Sequence, residues 1–313
     1  MNEEARIFVA GHGGLVGGAI VGRLTGAGHR NLILRTRGEL DLRKTADVEQ
    51  LFTSTRPEYV FLAAAKVGGI HANDRYPAEF ICDNLKIQTN IIDAAYRLGT
   101  RKLLFLGSSC VYPRLAPQPI PEDALLTGPL EPTNEAYAIA KIAGLEMCKA
   151  YRRQYGFDAI VAMPTNLYGP GDNFSLKNSH VLPALIRKFH DAKAQGDGEV
   201  TVWGSGTPRR EFLHVNDLAD ACVHLMQHYS DEQPVNIGWG EDISIAQLVQ
   251  EIASAVGYGG TIRYDATKPD GTPRKLLDVT RMKNLGWAPR ITLLEGIAST
   301  YSWFLQNQDK LRR

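Results

Sequence analysis

The 313-residue chain reads as an α/β protein: a Rossmann-type doubly wound parallel sheet with a smaller C-terminal α/β domain. Three observations predict it. Short apolar runs alternate with helical patterns, and strand alternating with helix builds a parallel sheet covered on both faces. A glycine-rich turn follows the first run directly and opens a helix, as a nucleotide-binding turn does. After about Pro164 the rhythm changes to loops rich in Gly, Pro and Asn, such as Tyr168-Gly169-Pro170-Gly171-Asp172-Asn173 and Trp203-Gly204-Ser205-Gly206-Thr207-Pro208.

Taken in order, residues 6–10 form a buried strand and residues 15–27 the first helix. Residues 32–34, 59–65, 103–107 and 159–163 are further strands, each bounded by polar or glycine-containing segments. The clearest helices are residues 78–98 and Glu135–Tyr155. Residues 1–165 are then the nucleotide-binding domain, rejoined by about 215–240, and residues 166–313 mainly the substrate domain. No linker separates them, so the two parts share one cleft.

Bulk composition limits the function. With 44% hydrophobic and 22% charged residues the chain can bury a large core. Its 35 basic and 34 acidic residues leave a formal charge of +1, so no global field attracts nucleic acid or an anionic membrane. Met1-Asn2-Glu3-Glu4 is acidic and runs into a strand, unlike a secretory signal. No run reaches the ~20 apolar residues of a membrane span. Cys82, Cys110, Cys148 and Cys222 are scattered without a CxxC pair, which predicts neither disulfides nor zinc and fits a soluble protein in the reducing cytoplasm. His224 and His228 stand four apart on a helix, but without a third ligand nearby they read as a solvated face and no metal is expected.

The turn is Gly11-His12-Gly13-Gly14-Leu15-Val16-Gly17. Lacking side chains at its glycines, such a backbone turns sharply and approaches a pyrophosphate at the positive end of the following helix. An NAD site usually has a carboxylate at the end of the second strand. Here Leu34-Arg35-Thr36-Arg37 offers two guanidinium groups and no carboxylate, which favours the 2′-phosphate of NADP.

Tyr137 and Lys141 are four residues apart on one helix and project from one face. Spacing alone identifies nothing, because Tyr264 and Lys268 repeat it. The first pair has context: a strand ending in Ser108-Ser109 precedes it, whereas Tyr264 sits in a strand-like segment. Tyrosine, with an unperturbed pKa of ~10, exchanges protons poorly at neutral pH until a nearby ammonium favours its phenolate. Tyr137 would then give a proton to a carbonyl oxygen that Ser108 holds, while Lys141 would also reach a nicotinamide ribose.

With this turn, this serine and Tyr-x-x-x-Lys in sequence, the chain resembles the extended short-chain dehydrogenase/reductases. Within them it is most similar to the enzymes that epimerise and reduce GDP-4-keto-6-deoxy-D-mannose. Ala63 to Ile70, Gly107 to Pro113, Pro132 to Tyr137, Met163 to Pro170, Trp203 to His214 and Lys268 to Lys275 carry the likeness over nearly the whole chain.

The resemblance implies inversion at C3 and C5, either side of a C4 ketone, then reduction of that ketone with NADPH. It places the base and acid at Cys110 and His180. By themselves a lone cysteine reads as packing and a lone histidine as a structural group. The family's cofactor contacts carry over onto the turn from Gly11 to Gly17, Arg35, Arg37, Asp41 and Leu42. They continue at Ala63, Ala65, Leu106, Gly107, Ser109, Pro164, Thr165, Asn166 and Leu167. Its GDP-sugar contacts carry over onto Lys188, Trp203, Arg210 and Asp270. A homodimer formed through residues 78–98 and Glu135–Tyr155 is also implied.

Two departures stand out. Lys188 occupies a slot where arginine is about as expected, so the forked contact is lost. Gly13 stands where relatives often have an arginine beside the 2′-phosphate, which weakens the expected NADP preference. A 4,6-dehydratase would have Asp-Glu in place of Ser109-Cys110, and a UDP-galactose-type 4-epimerase a threonine in place of Cys110. The alternatives are another nucleotide-sugar epimerase or reductase on this fold, or a catalytically silent NADP-sensing protein.

Overall fold

The computed structural model describes residues 1–176, 179–268 and 270–310. The chain begins β1 (Ile7–Ala10), α1 (Leu15–Gly26), β2 (Leu32–Ile33), α2 (Thr45–Thr55) and β3 (Tyr59–Leu62). It continues α3 (Ile70–Arg75), α4 (Pro77–Arg97), β4 (Lys102–Leu106), α5 (Glu135–Tyr155) and β5 (Asp158–Pro164). Then follow β6 (Asn166–Tyr168), α6 (Val181–Gln195), β7 (Glu199–Trp203), β8 (Arg209–Arg210), β9 (Phe212–His214), α7 (Val215–His228) and β10 (Val235–Ile237). The chain closes with β11 (Ile243–Ser244), α8 (Ile245–Val256), β12 (Thr261–Asp265), β13 (Arg274–Lys275), α9 (Thr280–Asn284) and α10 (Leu293–Gln306).

Six strands form one sheet in the order β10-β5-β4-β3-β1-β2, every pair parallel. Alternation along each strand serves two cores at once. Phe8 and Ala10 point toward Phe52, Ile91, Ile92 and Leu145 on one face. Ile7 and Val9 point toward Ile20, Leu24, Leu218 and Cys222 on the other. Chain order reverses between β1 and β3, so a crevice opens at their carboxyl ends, the ligand edge of such sheets.

The long helices match their sequence signals. Pro77 and Glu79 begin α4, and Gly156 ends α5 in the left-handed conformation at φ +68°. Helix α5 lies close to the sheet because Gly144 faces Phe105, where a β-carbon would collide with the ring. Gln88 of α4 locks that placement by donating to the Ala140 carbonyl at 2.6 Å. Strand β3 stops at Leu62 rather than residue 65. The backbone after it bends to lie against the glycine turn, where a β-carbon on Gly11 would come within 2.8 Å of Ala64 Cα.

A third apolar cluster, including Phe174, Leu182, Phe189, Val202, Leu248, Ile252 and Phe304, joins α6, α8 and α10 over β7. There β7 pairs with β12, β6 with β9, and β8 lies between β11 and β13. Among the described residues no helix is long and apolar enough to cross a membrane, and no group of His, Cys, Asp and Glu is arranged to hold a metal ion.

Candidate active site

The glycine turn is shaped by close packing at two of its glycines and open at a third. Gly11 has φ +86°, and a β-carbon on Gly17 would collide with the Gly11 carbonyl oxygen. A β-carbon on Gly13 meets nothing within 4 Å. Gly14 caps α1 without a side-chain partner for its first N–H groups, and the first turn has no acidic residue. His12 Nδ1 is buried with no partner among the described residues. An orphaned donor or acceptor, a tight backbone cradle and free helix N–H groups all fit a dinucleotide phosphate.

Arg35 and Arg37 are exposed, as a phosphate site requires, and Arg35 Nη1 donates to the Leu34 carbonyl at 2.8 Å. Two residues beyond Arg37, Glu39 accepts the N–H and the hydroxyl of Thr36, both at 2.8 Å. These bonds hold its pKa below the ordinary value, helped by the charges of Arg35 and His12 nearby. The Thr36-x-x-Glu39 spacing of a capping box was the signal available in the sequence. Asp41 is already engaged, its two oxygens accepting from Arg43 at 2.9 and 2.8 Å, and the Leu42 carbonyl accepts from Asn90 at 3.0 Å.

Across the crevice, Ala63 donates to the Ala10 carbonyl at 3.1 Å. Asn84 of α4 secures the segment beyond Ala65, accepting from Lys66 N at 2.8 Å and donating to its carbonyl at 3.0 Å. At the end of β4, Gly107 leaves no room for a β-carbon beside Met163. Pro164 ends β5, Thr165 N donates to the Ile237 carbonyl at 3.0 Å, and Asn166 Nδ2 to the Glu211 carbonyl at 2.8 Å. Leu167 is half-buried beside them.

The Tyr137–Lys141 face of α5 looks onto the end of β4. Lys141 is 3% exposed, and its Nζ donates to the Leu106 carbonyl at 2.7 Å, 4.7 Å above the Phe105 ring. Burial lowers its pKa to about 7. Tyr137 packs edge-on against Phe80, and burial holds its phenol above the ordinary value, with Cys110 adding to this and the Ser108 hydrogen bond offsetting part. Lys141 Nζ is 6.0 Å from the centre of the Tyr137 ring. Tyr264 and Lys268 share no helix: Tyr264 lies on β12 under Gly206, and Lys268 stands over Trp203 at 5.7 Å.

A single helical turn, Ser109–Val111, carries Cys110 away from Ser108, whose hydroxyl accepts from Cys110 N at 3.2 Å. Cys110 Sγ accepts from Asn134 Nδ2 at 3.4 Å and Lys275 Nζ at 3.6 Å. Sequence reasoning singled out neither donor. Ser109, Cys110, Glu131, Asn134, Thr272 and Lys275 line one cleft. His180 precedes α6 with an edge exposed, while the protein packed behind it, and then Lys275, lower its pKa.

The expected sugar-nucleotide residues divide. Trp203 is 69% exposed, an open face for stacking. Burial works against the charge of Arg210, which Asp270 and Glu131 support. Lys188 Nζ instead donates to the Thr201 carbonyl. Asp270 accepts the N–H and hydroxyl of Ser205 at 2.7 and 2.8 Å, shaping the loop after Trp203. The solvated-face reading fits His228 only: His224 is half-buried, its Nε2 2.8 Å from the Leu285 carbonyl oxygen.

The family described as "NAD dependent epimerase/dehydratase family" matches residues 7–238. The chain belongs to that family. It is 61% identical to "Putative GDP-L-fucose synthase 2" of Arabidopsis thaliana over 98% of this chain and 94% of the relative. It is 57% identical to "GDP-L-fucose synthase" of Escherichia coli (strain K12), covering 99% of each. A solved GDP-L-fucose synthetase from Naegleria fowleri bound to NADP is 30% identical, with a TM-score of 0.93 over 100% of this chain and 98% of that one. The family resemblance thus extends past the matched segment to the C-terminal residues that form the Cys110 cleft.

Proposed function

We propose that this protein catalyses the NADPH-dependent 3,5-epimerisation and 4-keto reduction of GDP-4-keto-6-deoxy-D-mannose to GDP-L-fucose. The observation that carries the reading is one cleft at the carboxyl end of β4. There Lys141, anchored on the Leu106 carbonyl, sets the Tyr137 face of α5 beside Ser108, and Cys110 follows two residues later. The relatives named GDP-L-fucose synthase support the substrate.

NADPH, when bound, would supply the hydride for C4. Gly11 to Gly17 would hold its pyrophosphate and Arg35 and Arg37 its 2′-phosphate, while Ala63, Ala65, Leu106, Gly107, Ser109 and Pro164 to Leu167 would complete the binding cleft. Asp41 and Leu42 would be further contacts to it. Ser108 hydrogen-bonds the C4 oxygen, and Tyr137 delivers a proton to it. Lys141 in its ammonium form favours the phenolate left behind.

For the epimerisations, Cys110 takes the proton from the carbon next to the ketone. The C–H electron pair moves toward C4, leaving an enolate that His180 reprotonates from the other face. Trp203 stacks on the guanosine part, Arg210 faces the diphosphate, Lys188 would reach it only by leaving the Thr201 carbonyl, and Asp270 keeps the loop after Trp203 in place. We assign residues 1–165, with about 215–240, to the NADP-binding domain and residues 166–313 mainly to the substrate domain. We place the protein in the cytoplasm as a homodimer joined through α4 and α5.

The test is to supply purified protein with GDP-4-keto-6-deoxy-D-mannose and NADPH or NADH, following absorbance at the nicotinamide band and product identity. GDP-L-fucose forming with coenzyme oxidation is the expected result. No oxidation with either coenzyme sinks the assignment, and would leave a nucleotide-binding protein without this activity.

A further inference from the structure

Lys275 is a charged group in the Cys110 cleft that the reading above leaves without a role. It ends β13, a two-residue strand laid parallel to β8 with Lys275 opposite Arg210. The clamp on this strand is buried. Glu211 is 0% exposed, and its carboxylate accepts N–H groups from Leu277 at 3.1 Å and Gly240 at 2.7 Å. Its own N–H donates to the Lys275 carbonyl at 3.3 Å. Burial raises the pKa of this carboxyl and the donated N–H groups offset part of that, so the hydrogen bonds from Leu277 and to the Lys275 carbonyl hold the backbone on both sides of Lys275 in place.

From that anchorage the lysine reaches the cleft. Its Nζ donates to Cys110 Sγ at 3.6 Å, beside Asn134, which donates to the same sulfur at 3.4 Å. Among the described residues no carboxylate lies within ion-pair distance of Lys275, so its charge is not spent on a fixed partner. The same ammonium acts on His180, where it adds to burial in disfavouring the imidazolium. One cation therefore touches the proposed base and bears on the proposed acid.

We propose that Lys275 is a positioning residue for epimerisation: it orients the sulfur of Cys110 as proton acceptor. This rests on the function proposed above. During each inversion the C–H bond breaks, its electron pair passes into the carbonyl as an enolate, and the proton goes to sulfur. On return the enolate carbon forms a new C–H bond with a proton from the imidazolium. One negative charge moves from sulfur to enolate oxygen and is then discharged. A fixed ammonium beside the sulfur steadies that charge at the start.

The experiment separates the two half-reactions in the full-length protein. Deuterium uptake from solvent at C3 and C5 of GDP-4-keto-6-deoxy-D-mannose reports epimerisation. Oxidation of GDP-L-fucose by NADP, run in reverse, reports the reductase without any inversion. Lys275→Met is expected to lower deuterium uptake by at least about 30-fold while the rate and KM of GDP-L-fucose oxidation stay within about threefold. Lys275→Arg, which keeps a cationic donor, is expected to recover a substantial part of the uptake. A thermal melt identifies any variant that fails to fold, and Lys275→Arg then carries the comparison. Unchanged uptake in Lys275→Met overturns the proposal. So does an equal fall in both reactions with a raised KM for GDP-L-fucose, which makes the lysine a contact to the nucleotide-sugar only. Wild-type protein inert in both assays overturns the function itself, and this inference with it.

Discussion

Replacing Gly13 by arginine will tighten NADPH binding selectively. A β-carbon at this position meets nothing within 4 Å, and its backbone is outside the left-handed region, so the side chain enters without strain. On the reading that Arg35 and Arg37 hold the 2′-phosphate, and with an arginine expected at this position in related enzymes, a new guanidinium at position 13 stands beside that phosphate. A charge-assisted contact contributes roughly 1.5–3 kcal/mol. Exposure and salt push this toward the lower end, so about a tenfold lower Kd for NADPH is expected. The assay is a titration of both coenzymes against wild type and Gly13→Arg at two salt concentrations. NADPH affinity should rise and become more salt-dependent, with NADH affinity unchanged. Equal gains for both coenzymes would refute the 2′-phosphate placement, as would no gain for either. Glu39→Gln removes the opposing charge while keeping an acceptor for Thr36, and should favour NADPH over NADH by about threefold.

Tyr137→Phe should abolish coenzyme oxidation yet leave deuterium uptake at C3 and C5 measurable, whereas Cys110→Ala should suppress the uptake. Normal uptake in Cys110→Ala would move the base to another residue. Gly17→Ala, whose β-carbon collides with the Gly11 carbonyl, should cost at least about 2 kcal/mol of stability and lose coenzyme binding. Wild-type melting and affinity would show that the turn is looser than described. His214 is buried, and its pKa is lowered from 6.5 to about 4. Between those values the unfolded chain binds the additional proton, so stability should fall as pH drops from about 6.5 to 4. Urea midpoints at pH 7 and pH 5 check this against a His214→Gln variant, whose own change with pH should be smaller; matching slopes would exclude the histidine.

Elements whose information is local were legible. The apolar patterns placed Glu135–Tyr155 and the strand before Ser108, because burial repeats every second residue in a strand and about every third or fourth in a helix. The β3 boundary was overestimated because Ala63 to Ala65 are as apolar as a strand, while the approach of Ala64 to Gly11 bends them away. The Thr36–Glu39 pairing is legible as a capping spacing, but it lies beyond the residues that directly follow the second strand. Lys275 had no local signal: it lies 165 residues from Cys110, and only the β13–β8 pairing brings it there.

The sequence by itself determined the parallel sheet, the phosphate turn and the Tyr137–Lys141 face, since each follows from periodicity or from glycine spacing within a few residues. Only the tertiary structure decided which glycines of that turn are closed and which is open. It alone committed Lys188 to the Thr201 carbonyl and Asp270 to Ser205, and set Asn134 and Lys275 against Cys110. The physical reason is that a pattern along the chain reports which side of an element is buried. The partner of a charged or hydrogen-bonding side chain is set by how distant elements pack, and that is written in no single segment.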